Sequence, residues 1–280
     1  MKHTGNQDAQ ISRLRDIRCF LLDMDGTVTL GEESLPGASS FFESIRGREA
    51  IFVTNNSSHS RTHYLNRLKK IGIPPEAQQV MTSTDALILY LKKEYEEPVT
   101  VFPVGTPGFE ADLKAFGIQM EKRRDQLIDA VVLAFDTTLV YEKLVIACDY
   151  IRKGKPYLAT NPDRVCPLAN GRVLPDCGAL IAYMETCTDR SPLRVMGKPE
   201  TTLIEMVMES RRYQRHELAM VGDRLYTDIK AAHNAGILSI AVLSGETTRE
   251  EIESSSIKPD LIFQDIGELA RTIDAIKQNE

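Results

Sequence analysis

Cys19-Phe20-Leu21-Leu22-Asp23-Met24-Asp25-Gly26-Thr27 sets four apolar residues directly before two carboxylates and a glycine. A short apolar run of this kind reads as a buried parallel strand, and a charge placed against it needs a reason. The same punctuation recurs three times. Ala50-Ile51-Phe52-Val53 stops at Thr54-Asn55-Asn56, Leu193-Arg194-Val195-Met196 at Gly197-Lys198, and Leu218-Ala219-Met220-Val221 at Gly222-Asp223. Helical stretches separate the runs, which predicts an α/β fold with a doubly wound parallel sheet. Ligands of open parallel sheets bind outside the carboxyl ends of the strands. Four such runs in one sheet would bring Asp23, Asp25, Thr54, Asn55, Asn56, Lys198 and Asp223 to one crevice. That set suits a divalent cation and phosphoryl chemistry.

Working outward, a helix is expected from about Ala38 to Arg46, and another from Ser60 to Ile71, stopped by Gly72 and Pro74-Pro75. A third begins at Thr82–Asp85. A second strand series then follows at 99–105, 129–136 and 156–161, each ending on Gly, Asp or Asn. It reads as a smaller α/β domain inserted into the first, giving the expected division 1–81, 82–183 and 184–280. The main sheet is expected to resume at 193–197 and to add strands at 218–222, 237–243 and 260–263. The Pro-, Gly- and Asn-rich segment 161–178 reads as a long functional loop. The first two tens of residues and the last few are expected to fray.

A length of 280 residues suits one large or two modest domains, and a net charge of -6 argues against a nucleic-acid surface. No stretch approaches a membrane span, and the polar first residues carry no apolar leader. Cys19, Cys148, Cys166, Cys177 and Cys187 form no C-x-x-C pair, so neither a zinc nor a redox site is signalled. A reducing cytoplasm is the expected setting. His59 and His63 stand at metal-binding helical spacing, but no further ligand follows, and two surface histidines are expected.

Read from the residues, one carboxylate of Asp23-x-Asp25 can attack phosphorus while the other gives and takes the proton. A cation bridging nucleophile and phosphate would lessen their repulsion. Each residue also has a structural reading. Asp23-x-Asp25-Gly26 could be a surface turn, Thr54–Asn56 a helix cap, Lys198 a solvated lysine, and Asp223 and Asp228 caps of a helix at 225–235.

The four motifs together resemble those of the haloacid dehalogenase-like (HAD) phosphohydrolase superfamily: DMDGTV at 23–28, VTNN at 53–56, GKP at 197–199 and GDRLYTD at 222–228. With PGA early and ATNPD in the middle, the wording is similar to the NagD/p-nitrophenylphosphatase branch. The resemblance implies a Rossmann-like core with an inserted α/β cap of the C2 type. It implies Asp23 as nucleophile and Asp25 as general acid/base. Mg²⁺ would be held by the side chains of Asp23 and Asp223 and the main-chain carbonyl of Asp25. Thr54 and Asn55 would bind phosphoryl oxygens, with Asn56 beside them. Lys198 would balance the phosphate and Asp23 charges, and Asp228 would support the metal from behind or orient a water. An Asp two places after the nucleophile is the pattern of phosphatases and mutases, and the cap type implied points away from the hexose phosphate mutases.

The expected partner is therefore a small-molecule phosphate ester, with neither nucleic acid nor membrane, and self-association into a homo-oligomer stays open. Cap loops at 105–108, 136–138 and 161–178 would contact it. There Asn161 and Asp163 could bind a polyol or build an Asx turn, and Arg164 and Arg172 could meet an anion or stay solvated. No aromatic residue lies between Asn161 and Gly178, which favours sugar or polyol phosphates over a stacked ring. Two alternatives remain: phosphoryl transfer to a sugar acceptor, and a non-catalytic module that binds a phosphometabolite.

Overall fold

Every residue of the Cys19–Leu22 strand is buried, as a strand covered on both faces must be. It pairs in parallel with Leu218–Gly222 on one side and Glu49–Thr54 on the other. Leu238–Val242 and Leu261–Phe263 extend the first side, again in parallel, and Val80–Thr82 closes the opposite edge. The chain thus starts in the middle, winds out one way, and returns to build the other half. This reversal lies between Cys19–Leu22 and Leu218–Gly222, so the crevice beyond their carboxyl ends is the topological switch point.

The computed structural model describes residues 9–168 and 172–278. Its described residues fall into two units. The first comprises those of Met1–Val53, Leu65–Val80 and Lys198–Glu280, and the second Thr54–Tyr64 and those of Met81–Gly197. In the first unit Phe20 packs edge-on against Phe41 of the Ala38–Ser44 helix, with ring centroids 5.4 Å apart. That helix meets Ile266–Gln278 where Gly37 and Gly267 touch backbone to backbone, and a side chain at Gly37 would overlap Gly267. Fraying was expected over the first twenty residues. The expectation for residues 1–8 and 279–280, His3 included, lies outside the described residues. From residue 9 onward the chain is tied down, because Leu14 and Ile17 are buried in the core.

The second unit carries its own parallel five-stranded sheet in the order Arg194–Val195, Tyr157–Ala159, Ala130–Leu133, Thr100–Val104 and Gln119–Met120. The helices Tyr141–Arg152 and Cys177–Thr188 pack on it through Leu144, Ala147, Ile151 and Met184. One expectation is corrected here. The run ending at Gly197 does not resume the main sheet: Arg194 and Val195 pair with Leu158 and Ala159 at the edge of the second sheet. An edge strand needs only one covered side, which a two-residue strand with an exposed arginine meets. The segment 161–178 also holds a hairpin, Val165–Pro167 against Val173–Pro175. The part of its expected loop at 169–171 lies outside the described residues.

Candidate active site

Asp23 follows Cys19–Leu22 without a break, its amide donating to the Val221 carbonyl at 2.9 Å, so the sheet's hydrogen bonding fixes its backbone. Lys198 reaches it from the first residue of the returning chain. The Lys198 ammonium is buried, donates to Asp23 Oδ1 at 2.5 Å and to the Val53 carbonyl at 2.9 Å, and is ion-paired with Asp228 Oδ1 at 2.7 Å. Burial works against its charge, but the carboxylates of Asp228 and Asp23 outweigh it and hold Lys198 above the ordinary lysine value. It is therefore a buried cation with two anionic partners, not a solvated lysine.

Asp223 stands one strand away, directly after Leu218–Gly222. The loop 244–247 wraps it. The Glu246 amide donates to Asp223 Oδ2 at 2.7 Å, the Thr247 amide donates to the Asp223 carbonyl at 3.1 Å, and the Ser244 hydroxyl donates to the Gly26 carbonyl at 2.7 Å. Gly26, at φ +93°, and Gly245 both lie against the Asp223 carboxylate, where a Cβ on either would overlap it. Asp228 comes from a π-helical turn, Leu225–Ile229, a feature that recurs at functional sites. A Cβ on Gly222 would collide with its side chain, so glycine there lets the turn pack onto the strand end.

Asp23, Asp223 and Asp228 each offer a carboxylate oxygen within 4.8 Å of the others. Three anions against one ammonium leave about two charges uncompensated, which a divalent cation would neutralise. Burial raises the Asp223 carboxyl well above its usual range, and the charges of Asp23 and Asp228 add to the shift. Burial also raises Asp228, to about 6, against the opposing pull of Lys198. Asp223 Oδ1 is buried with no hydrogen-bond partner among the described residues. An orphaned carboxylate oxygen in a hard-oxygen cluster fits a magnesium-type ion. Asp228 stands in this cluster with the other two carboxylates.

The Asp25 side chain lies outside that group. It meets Arg67, whose Nη2 donates to Asp25 Oδ1 at 2.5 Å, and the Thr29 hydroxyl at 3.3 Å. Neither Arg67 nor Thr29, nor Gly245 and Glu246, is marked by any local pattern in the sequence. Arg67 sits in a basic helix end, Arg67-Leu68-Lys69-Lys70, which reads as solvated.

Thr54, Asn55 and Asn56 end the Glu49–Thr54 strand and group with the second unit. There the Asn55 carbonyl accepts from Asn161 Nδ2 at 2.5 Å and from the Ser83 hydroxyl at 2.8 Å. Asn55 Nδ2 donates to Asp163 at 3.3 Å. Asn56 Oδ1 accepts the Ser58 amide at 3.0 Å in an Asx-type turn. Asn161 and Asp163 are buried and hold this loop, whereas Arg164 and Arg172 are exposed. Lys143 ties two of the expected cap loops together, donating to Asp136 at 2.6 Å and to the Gly105 carbonyl at 2.7 Å. His59 and His63 stack face to face with centroids 3.9 Å apart. No helix among the described residues is long and apolar enough to cross a membrane.

Comparison with known proteins agrees with this geometry. Residues 20–119 match the haloacid dehalogenase-like hydrolase family, and residues 195–269 match the HAD-hydrolase-like family. The acid sugar phosphatase of Staphylococcus haemolyticus is 31% identical over 256 residues, covering 91% of this chain and 95% of that protein. The 4-nitrophenylphosphatase of Thermotoga maritima superposes with a TM-score of 0.88 at 40% identity, over 93% of this chain and 99% of that one. The glycerol phosphate phosphatase of Mycobacterium tuberculosis, solved in complex with magnesium, gives 0.85 at 30% identity, over 93% and 77%. A carboxylate cluster and buried lysine at the switch point, with these matches along both parts of the core, identify the chain as a member of the haloacid dehalogenase-like hydrolases, in their NagD/p-nitrophenylphosphatase branch.

Proposed function

We propose that this chain is a cytoplasmic, Mg²⁺-dependent phosphatase that hydrolyses small phosphomonoesters, of the sugar or polyol phosphate kind, through an aspartyl phosphate on Asp23. That it is a phosphoric monoester hydrolase follows its family. The observation carrying the rest is the pairing of Asp23 with buried Lys198 beside an Asp223 oxygen that has no hydrogen-bond partner among the described residues.

In the first step an Asp23 oxygen forms a bond to phosphorus as the ester oxygen leaves, and Asp25 gives that oxygen its proton. In the second, water attacks the same phosphorus, Asp25 takes a proton from it, and Asp23 is freed with inorganic phosphate. Lys198 holds the nucleophile in place and balances charge gathering on the phosphoryl oxygens. Thr54 and Asn55 serve those oxygens as donors, with Asn56 shaping their loop. Asp23, Asp223 and the Asp25 carbonyl, with Asp228 beside them, would hold Mg²⁺, which would supply Lewis-acid neutralisation of the anionic phosphate. The inserted segment 82–183 serves as the cap that selects among esters, and the absence of an aromatic residue from Asn161 to Gly178 supports the sugar or polyol class. The names of the acid sugar and glycerol phosphate phosphatases among its relatives support the same class.

Phosphate release from p-nitrophenyl phosphate, sugar and polyol phosphates and pyridoxal phosphate tests this, with Mg²⁺ or EDTA and beside Asp23→Asn. Turnover that needs Mg²⁺, vanishes in the variant and favours the polyol esters is expected. Full activity in EDTA would remove the metal from the mechanism, and an active Asp23→Asn would remove the nucleophile. Equal rates on pyridoxal phosphate would overturn the substrate class. A transferred ester formed with added alcohol would make the enzyme a phosphotransferase, and no release from any compound would make it a binding module.

A further inference from the structure

Arg67 is buried, 6% exposed, although it sits one turn from the end of the Arg61–Lys70 helix, where Lys69 and Lys70 are exposed to solvent. An interior guanidinium is costly to desolvate unless it is paired in good geometry. Its fork points at the carboxylate of Asp25. Nη2 lies 2.5 Å from Oδ1 and Nη1 3.5 Å from Oδ2, while Nη2 also donates to the Thr29 hydroxyl at 2.6 Å. Thr29 in turn donates within reach of the Met24 carbonyl, 3.1 Å, and of Asp25 Oδ1, 3.3 Å. The backbone beneath is closed by the Thr29 amide on the Met24 carbonyl at 2.8 Å and the Gly26 amide on the Thr29 carbonyl at 2.7 Å. The main chain of the turn is therefore set without Arg67. What Arg67 adds is the direction of the side chain, because a planar fork touching both oxygens fixes the carboxylate's rotation. Part of that carboxylate still faces solvent, the side chain being 27% exposed.

We propose that Arg67 is the positioning residue for Asp25, and that through it the enzyme expels poor leaving groups. The inference rests on the reading of Asp25 as general acid. A p-nitrophenolate departs as a stable anion and needs little help. An alkoxide must receive a proton as the P–O bond breaks, so only alkyl esters depend on where the Asp25 carboxyl points. Displacement of a catalytic group by roughly 1 Å costs on the order of 10²-fold.

The experiment measures kcat/KM, which covers steps through loss of the leaving group, for p-nitrophenyl phosphate and for the better of glycerol 3-phosphate and glucose 6-phosphate. The proteins are wild type, Arg67→Met, Arg67→Lys, Asp25→Asn and the Arg67→Met/Asp25→Asn double variant. Arg67→Met is expected to lose about 10²-fold on the alkyl ester and about threefold or less on p-nitrophenyl phosphate. Arg67→Lys, keeping the charge but not the fork, should fall between. The double variant should be no slower than Asp25→Asn. Equal losses on both esters, a rise in KM alone, or a double variant slower than Asp25→Asn would overturn the proposal and assign Arg67 to phosphate binding or to the fold. The ratio of the two kcat/KM values in one sample is independent of its folded fraction, so a partly unfolded Arg67→Met still decides. A wild type with no turnover, or an active Asp23→Asn, would defeat the underlying mechanism instead.

Discussion

Asp223 shows how much of the site is made by residues that do no chemistry. One of its oxygens is satisfied by the Glu246 amide, the other has no hydrogen-bond partner among the described residues, and Gly26 and Gly245 press on the carboxylate from two directions. Gly245→Ala would push a methyl group into that carboxylate. Half-maximal activity should then need roughly 10- to 100-fold more Mg²⁺, the usual cost of disturbing a ligand's support. A Mg²⁺ titration of the variant checks this, and an unchanged half-point would mean that the loop yields. Asp23, Lys198 and Asp223 were legible because each interrupts an apolar run, where a buried charge cannot be incidental. Gly245 and Arg67 carry no such mark. Their roles come from what lies across the crevice, tens or hundreds of positions away in the chain.

At the scale of elements, the local rules were obeyed where they could be written in few residues. Thr82 caps the Ser83–Glu94 helix as its spacing with Asp85 predicts, each side chain serving the other's backbone. Asp85 does more than cap. It accepts the Thr82 amide at 2.7 Å and the Thr82 hydroxyl at 3.1 Å, and it is ion-paired with Arg61, whose own amide donates to Asp112 at 3.0 Å. Asp85→Ala should destabilise the protein by about 2–3 kcal/mol, since buried donors lose their acceptor. Urea unfolding would show it, with Thr82→Ser staying close to wild type. Other elements were not legible. Val80–Thr82 and Arg194–Val195 are too short to show a period, and which sheet a two-residue strand joins depends on the open edge it meets. The π-helical turn at Leu225–Ile229 likewise follows from Asp228 being drawn to Lys198 and the strand end, not from propensity.

For the molecule as a whole, the site is a source of strain until its cation binds. Burial raises the native carboxyls of Asp228, to about 6, and of Asp223, so the folded chain binds these protons more tightly than the unfolded one. By linkage, Asp228 makes the protein in EDTA lose stability as pH rises from about 4 through about 6, and Asp223, raised for the same reason, adds a loss in the same direction. Asp223→Asn removes one of the two titrations. In EDTA at pH 7 it should be more stable than wild type by about 1–2 kcal/mol, with the gap closing toward acid. Urea midpoints across pH read this directly, and a variant less stable at pH 7 would contradict it. Excess Mg²⁺ should reverse the order, because a bound cation favours the ionised wild-type carboxylates. By itself the sequence determined the α/β class, the apolar runs that lead into Asp23, Thr54, Lys198 and Asp223, and the family, because those depend on hydrophobic period and on polar groups set against apolar runs. Only the tertiary structure decided that Asp228 joins the carboxylate cluster, that Arg67 is spent on Asp25, and that the Arg194–Val195 strand belongs to the second sheet. These are pairings between distant segments, and their energies exist only once burial has removed water from between them.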